Sequence, residues 1–307
     1  MTIDRRGLLA SGAAAAMGLA AVRLTHAAPC GCEAQPGPAQ PAKGQAALRL
    51  SSQLGPIPVK ELPEKLALME KWGFEAVELP RDVTDKEQMY ADALKNTRLR
   101  VSAVCWGSAK GALVSESPQQ RAEGIAMLKR AIEAAGRFQS TGVIYVPAFN
   151  PETKRTNQEI RAMMLEILPA IGEFALQNKT RLLLEPLNRK EAFFLRQLAD
   201  AAAICRDVDS PGIQMMGDFY HMAVEETSAL GAFLCAGPYL HHVHLASKTR
   251  VMPGQDPEDE ARYREGFRGL KMIGYHDFCS FECSCRGDRK VEIPKSMEFL
   301  RRQWEKA

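Results

Sequence analysis

Four segments in the second half of the chain decide its fold: LLLEPLN (182–188), IQMMGDFYHM (213–222), LHHVHLAS (240–247) and FCSFECS (278–284). Each places one oxygen or imidazole ligand near the end of an apolar run, namely Glu185, Asp218, His244 and Glu282. Three carboxylates and one histidine form a ligand set that a hard divalent cation such as Mn²⁺ or Mg²⁺ accepts. A helix-like stretch separates each ligand from the next. This delivery of one ligand per strand predicts a parallel β/α barrel with a metal site at the C-terminal ends of its strands.

The rest of the chain extends the same alternation. Eight short, apolar, β-rich runs alternate with amphipathic helical patterns, as in strands that are covered on both faces. We therefore expect an α/β fold, a single (β/α)8 TIM barrel, rather than an open doubly wound sheet, because no glycine-rich phosphate turn follows an early strand. The predicted strands are 48–53, 75–80, 100–106, 142–149, 181–187, 213–219, 240–246 and 277–283.

Composition sets limits on function. The chain has 307 residues, 46% of them hydrophobic, and one barrel of about 250 residues would use most of this length. The formal net charge of +3 includes Arg5, Arg6 and Arg23 near the N-terminus, so the folded part is close to neutral. A folded part that is close to neutral does not have the basic charge expected of a nucleic-acid binder. It favours a small-molecule substrate.

The N-terminal segment has the features of an export signal. Residues 1–28 contain the twin arginine Arg5-Arg6, an Ala/Gly-rich apolar core and an A-x-A-like cleavage site, which resembles a Tat leader more than a Sec signal or a membrane anchor. Residues 29–47 are rich in Pro, Gly, Ala and Gln and predict a flexible linker. The barrel is assigned to 48–307. We expect an exported, periplasmic or extracytoplasmic protein with no stable membrane anchor after cleavage, and leave open whether Cys30 and Cys32 form disulfides.

Taken together, the motifs resemble the xylose isomerase-like TIM-barrel superfamily, and within it the ketose 3-epimerases and hydroxypyruvate isomerases. The motifs that carry this resemblance are EPLNR (185–189), DFYHM (218–222), HVHL (242–245) and SFEC (280–283). The resemblance implies that Glu185, Asp218, His244 and Glu282 bind one cation. It also implies that Glu185 and Glu282 act as the acid/base pair. The substrate contacts that it implies are His221, Arg250, Glu191 and Trp106.

The chemistry that follows is a divalent-metal-dependent isomerisation or epimerisation of a keto-sugar through a metal-stabilised enediolate. Removing a proton beside a carbonyl needs a carboxylate base at the carbon and a positive centre at the developing oxyanion. Mn²⁺ or Mg²⁺ suits the ligands best, and Co²⁺ and Zn²⁺ are compatible with them. His242 shares strand parity with His244 and is expected to face the lumen, where it supports the site or packs in the core rather than binding the metal.

Three other functions stay open. The same site could catalyse β-elimination from a 3-keto-glycoside, which would make the protein an exported lyase. An endonuclease of the same superfamily would need several metal ions and a basic groove, and a non-catalytic sugar-binding barrel would not need four competent ligands. The expected partner is a small carbohydrate and not a nucleic acid, and a homo-oligomer is compatible with the sequence.

Overall fold

The computed structural model describes residues 45–307, and in this part of the chain eight parallel strands close into one barrel. Each strand pairs with the next along the chain, and the eighth returns to pair with the first. The predicted (β/α)8 barrel is therefore confirmed. The strands are β1 (Arg49–Gln53), β2 (Ala76–Pro80), β3 (Arg100–Gly107), β4 (Val143–Tyr145), β5 (Leu182–Leu184), β6 (Ile213–Asp218), β7 (Leu240–Leu245) and β8 (Phe278–Phe281).

Helices follow every strand, and several of them begin at a side-chain cap. Ser117 accepts a hydrogen bond from the backbone N–H of Gln120, and Thr156 forms a reciprocal capping box with Glu159. The helices are α1 (Leu62–Trp72), α2 (Glu87–Leu94), α3 (Pro118–Arg137), α4 (Asn157–Gln177), α5 (Leu198–Val208), α6 (Phe219–Glu225), α7 (Ala229–Ala236), α8 (Asp259–Met272) and α9 (Arg289–Lys306). Short 3-10 turns occupy Arg81–Thr84, Ala112–Val114 and Gly237–Tyr239.

The interior of the barrel is filled in layers by alternate strand residues, as expected for this fold. At the N-terminal end, the guanidinium groups of Arg49 and Arg100 lie 4.3 and 5.5 Å from the ring centroid of Phe278. The middle holds a small apolar cluster formed by Ala103, Ile144, Leu183 and Met216. This cluster lies between the arginines at the N-terminal end and the C-terminal mouth of the barrel.

The fourth and fifth strands are shorter than predicted. They were expected to span 142–149 and 181–187, but each ends two residues before a proline, Pro147 and Pro186. Proline has no backbone N–H to donate to a neighbouring strand, so it stops the ladder. The residues beyond β4 and β5 are therefore released from the sheet and turn over the mouth of the barrel.

The third strand changes which of its residues face the lumen. Ser102 faces inward, where its hydroxyl lies 2.7 Å from that of Ser51. The pairing of β3 with β2 then shifts register. Beyond this irregularity Cys105 reaches the barrel interior, whereas Trp106 points into the helix layer and packs on Tyr145 with ring centroids 6.0 Å apart.

Several expectations concern the N-terminal segment. The expected leader and nearly all of the expected linker, with Cys30 and Cys32, lie outside the described residues. Within 45–307, no helix combines the length and apolarity needed to cross a bilayer. The six cysteines of that same part form no disulfide with one another.

Candidate active site

The structure brings Glu185, Asp218, His244 and Glu282 together at the C-terminal mouth of the barrel. Glu185 is the first residue after β5 and Asp218 is the last of β6, while His244 lies on β7 and Glu282 directly follows β8. One ligand atom from each side chain lies within 4.8 Å of the others. Four consecutive strands thus deliver four donor atoms to one point.

The donor atoms at this point fit a divalent cation. Asp218 Oδ1 accepts a hydrogen bond from the backbone N–H of Tyr220 at 2.7 Å, but Asp218 Oδ2 and His244 Nδ1 are buried and have no hydrogen-bond partner among the described residues. His244 Nδ1 lies 3.1 Å from Glu282 Oε2 and 3.6 Å from Glu185 Oε1. Buried polar atoms normally have partners. A cation bound between these oxygen and nitrogen atoms would provide one for each of them.

Charges in the site shift the pKa values of these groups in different directions. Burial raises the pKa of Glu185. Burial alone would also raise the pKa of Glu282, but His244 and the Arg250 guanidinium outweigh it and hold the pKa below its usual range. For His244, burial acts to lower the pKa, and the carboxylates of Glu78 and Glu282 outweigh burial and raise it. The two glutamates therefore occupy electrostatically different environments.

His221 lies beside the four ligands and presents one ring nitrogen to them. Its Nδ1 accepts a hydrogen bond from the backbone N–H of Asn188 at 3.0 Å, so in the neutral ring the proton is on Nε2. That Nε2 is 3.4 Å from Asp218 Oδ2 and 3.5 Å from Arg250 Nη1. His221 is thus oriented as a hydrogen-bond donor at the edge of the site.

Arg250 is held at the same edge from three sides. Its Nη2 donates to Glu282 Oε2 at 2.7 Å, and its Nη1 lies 3.7 Å from Glu191 Oε1. Its guanidinium carbon lies 4.5 Å from the ring centroid of Tyr220. These contacts place a fixed cationic fork next to the ligands, with Glu191 beside it.

Trp106, the fourth residue assigned to the substrate, is not brought to this group. Its ring packs on Tyr145, and the guanidinium carbon of Arg81 lies 5.1 Å from the ring centroid. The register shift in β3 turns Cys105 toward the mouth instead. A substrate contact by Trp106 stays a prediction.

The sequence analysis placed His242 in the lumen beside the site but missed Glu78 and Gln53, which form a buried network with it below the ligands. Glu78 Oε2 accepts hydrogen bonds from His242 Nε2 at 2.8 Å and His244 Nε2 at 2.9 Å. Gln53 Nε2 donates to Glu78 Oε1 at 2.8 Å and to Glu282 Oε1 at 3.1 Å. Burial would raise the pKa of Glu78, but the two histidines outweigh it and hold the pKa far below its usual range. One signal could have revealed Glu78: an acidic residue at an inward position of an apolar strand.

Comparison with known proteins agrees with this geometry. The family model described as "Xylose isomerase-like TIM barrel" matches residues 66–303. The 3-dehydro-D-guloside 4-epimerase of Escherichia coli K12 is 28% identical over 249 residues, which cover 78% of this chain and 93% of that protein. A probable ketose 3-epimerase of Synechocystis is 25% identical over 219 residues, which cover 69% of this chain and 75% of that protein.

A solved structure shows the same likeness in three dimensions. The apo crystal structure of 3-keto-D-glucoside 4-epimerase from E. coli superposes with a TM-score of 0.75 at 26% identity, covering 83% of this chain and 100% of that one. These relatives are epimerases by name. The family model spans most of the barrel, and the relatives agree with it. The chain therefore belongs to the xylose isomerase-like TIM-barrel family.

Proposed function

We propose that this protein is a divalent-metal-dependent isomerase or epimerase that acts on a keto-sugar by removing a proton beside the carbonyl. One observation carries the proposal. Two glutamates, Glu185 and Glu282, flank His244 Nδ1 at 3.6 and 3.1 Å at the open end of a closed barrel. Paired carboxylates next to a cation site are what an enediolate reaction requires.

Each residue of the site has its own proposed role. Glu185 and Glu282 take and return the substrate proton, one on each face of the sugar. His221 donates from Nε2 to a substrate oxygen, while Arg250 and Glu191 hold neighbouring hydroxyl groups. A divalent cation held by the four ligands would supply Lewis-acid stabilisation to adjacent substrate oxygens. The three carboxylates favour Mn²⁺ or Mg²⁺, and Co²⁺ and Zn²⁺ remain compatible.

The relatives support two substrate classes. One relative is named as a ketose 3-epimerase, and the E. coli relatives are named for glycosides that carry a keto group at C3. In a 3-keto-glycoside both C2 and C4 flank the carbonyl. Loss of the C4 proton and its return to the other face gives a 4-epimer. Loss of the C2 proton to a glutamate gives an enediolate. This re-forms the C3 carbonyl as a C1–C2 double bond forms and the glycosidic C1–O bond breaks, and the aglycone oxygen takes the proton from the protonated glutamate and leaves as an alcohol.

This second outcome is the lyase alternative, and export of the protein would favour it. The experiment that separates the two uses Mn²⁺-loaded protein in D₂O with a panel of free ketoses and one 3-keto-glucoside, followed by NMR. Deuterium at C3 of a ketose, or at C4 of the glucoside with inversion, supports the epimerase. Release of the aglycone with no deuterium at C4 supports the lyase. Conversion of a substrate with neither solvent deuterium in the product nor release of the aglycone would rule out both.

Export is a further part of the proposal, and it depends on Arg5 and Arg6. Fractionation of cells that express the full chain or the Arg5→Lys/Arg6→Lys variant checks it. We expect the full chain in the periplasm and the variant in the cytoplasm, because Tat recognition requires the arginine pair.

A further inference from the structure

We infer that Glu78 is a positioning residue for the metal site: it fixes His244 directly and Glu282 through Gln53, and His242 holds it in place. This inference goes beyond the four ligands and rests on the cation site of the proposed function. Glu78 itself lies below the ligands and is almost completely buried, with 1% of its surface exposed.

The first step concerns the histidine ligand. Both His242 Nε2 and His244 Nε2 contact the same oxygen, Glu78 Oε2, at 2.8 and 2.9 Å. A carboxylate accepts hydrogen bonds, so both imidazoles donate from Nε2. A neutral His244 then has its lone pair on Nδ1, the atom that lies among Glu185, Asp218 and Glu282. Glu78 thus selects the tautomer that can bind a cation.

The second step concerns a carboxylate ligand. Gln53 Nε2 bridges Glu78 Oε1 and Glu282 Oε1 at 2.8 and 3.1 Å. The other oxygen of Glu282 accepts from Arg250. Glu282 is therefore oriented from one side by the substrate-facing arginine and from the other by the Glu78 network. A single buried carboxylate controls two of the four ligands.

The third step concerns charge. In the part of the chain that is described, the ion pairs of Glu78 are with His242 and His244 and include no lysine or arginine. A buried carboxylate without a permanent cation is costly. The two imidazole N–H groups, and a cation on the far side of the His244 ring, would offset this cost. Glu78 and the cation are thus expected to stabilise each other.

The three donors around Glu78 predict that glutamine cannot take over its role. Every contact of Glu78 is with an N–H donor: two imidazoles on one oxygen and the Gln53 amide on the other. In a Glu78→Gln variant the new NH₂ group faces a donor in either orientation of the amide. Loss of such a supporting partner typically weakens metal binding by about 10- to 100-fold.

The test measures Mn²⁺ binding to metal-free protein by titration calorimetry, with no sugar present. We expect one Mn²⁺ per wild-type chain and affinity that is about 10- to 100-fold lower in Glu78→Gln. The matched control is Asp277→Asn. Asp277 Oδ2 lies 2.7 Å from His241 Nδ1, so this variant also removes a carboxylate–histidine contact, here between β7 and the residue before β8, but one that reaches no ligand. Its Mn²⁺ affinity should equal that of the wild type.

A second pair of variants keeps the inference testable if Glu78→Gln does not fold. His242→Gln keeps an N–H donor near the position of Nε2, whereas His242→Leu removes it. We expect affinity close to wild type in the first and clearly weaker in the second. Wild-type affinity in Glu78→Gln, or in His242→Leu where Glu78→Gln does not fold, would overturn the inference while leaving the proposed function intact.

The stoichiometry gives an independent answer. Glu78, His242 and His244 also form a group whose ligand atoms lie within 4.8 Å of one another. Two Mn²⁺ per wild-type chain, falling to one in His242→Leu, would make this group a second cation site and overturn the positioning role. A wild-type protein that binds no Mn²⁺, Mg²⁺, Co²⁺ or Zn²⁺ would overturn the proposed function together with the inference.

Discussion

Strands β5–β8 and strands β1–β4 contribute to the mouth of the barrel in different ways. The second half supplies all four ligands, together with His221 and Arg250 from the loops and helix that follow β6 and β7. The described part of the first half supplies no ligand to that group, but it supplies Gln53 and Glu78, which contact ligands of the second half. One half of the barrel presents the chemistry and the other half orients it.

The largest expected effect tests the chemistry of the second half. Replacing Glu185 or Glu282 by Gln keeps an oxygen near the cation but removes the proton acceptor, so turnover should fall by roughly 10²-fold or more. Steady-state kinetics on any converted keto-sugar measure this, with metal content checked in parallel. Glu75→Gln is the control, because Glu75 pairs with Arg49 at the closed end of the barrel. Undiminished turnover in both site variants would contradict the assignment.

The next effect tests whether the second half holds the cation. In the wild type, free Mn²⁺ at 100 times its Kd should raise the free energy of unfolding by about 2.7 kcal/mol, because the ion binds only the folded chain. Asp218→Asn keeps an oxygen for the Tyr220 backbone N–H but removes the second anionic oxygen. If its affinity is about 100-fold weaker, the same Mn²⁺ concentration should add only about 0.4 kcal/mol.

Urea unfolding with and without Mn²⁺ gives both values. Asp218→Ala in the absence of metal provides the comparison for helix capping, since it also loses the bond to Tyr220 and should cost about 1 kcal/mol. An Asp218→Asn protein that is stabilised by Mn²⁺ as much as the wild type would show that Asp218 is not a ligand.

A smaller effect is expected when one residue assigned to the substrate is replaced in each half of the barrel. His221→Ala should raise KM by about 10-fold with one Mn²⁺ still bound, because it removes a donor to the substrate and no metal ligand. Trp106→Phe should change KM by less than about twofold, since its ring packs on Tyr145 away from the ligands. A large KM effect for Trp106→Phe with an intact fold would support its predicted place in the sugar pocket.

The two halves also differ in how far they could be predicted from the sequence. Glu185, Asp218, His244 and Glu282 could be found because each is a ligand type at the end of an apolar run, and the run itself predicts the strand. Glu78 is such a residue too, but its role depends on His242 and His244, which are 164 and 166 positions away. No local pattern encodes a contact across a closed barrel.

The places where the observed strands differ from the predicted ones have local physical causes. Simple alternation along β3 from Ser102 would turn Trp106 inward, but the register shift with β2 moves Cys105 there instead. The early ends of β4 and β5 follow from Pro147 and Pro186, which were visible in the sequence but were included in the predicted strands. Bulges and strand ends depend on which backbone groups find partners, and this is decided by the neighbouring strand.

The smallest expected effect concerns a contact near the start of two strands that carry ligands, away from the mouth of the barrel. His241 is on β7, Asp277 directly precedes β8, and their ring nitrogen and carboxylate oxygen are 2.7 Å apart. Burial would raise the pKa of Asp277, but His241 outweighs it and lowers the pKa below its usual value. A carboxyl with a depressed folded-state pKa stabilises the fold above its unfolded pKa of about 3.9, and this stability is lost as the pH falls through the folded value.

Asp277→Asn should therefore lower the free energy of unfolding by about 1 kcal/mol at pH 5, and the difference from wild type should shrink as the pH falls below about 4. Urea unfolding at pH 5 and pH 3 measures the change. A difference that stays constant between these pH values would show that the contact acts by packing and not by charge. At neutral pH the variant should bind Mn²⁺ as tightly as the wild type, because no ligand depends on this pair.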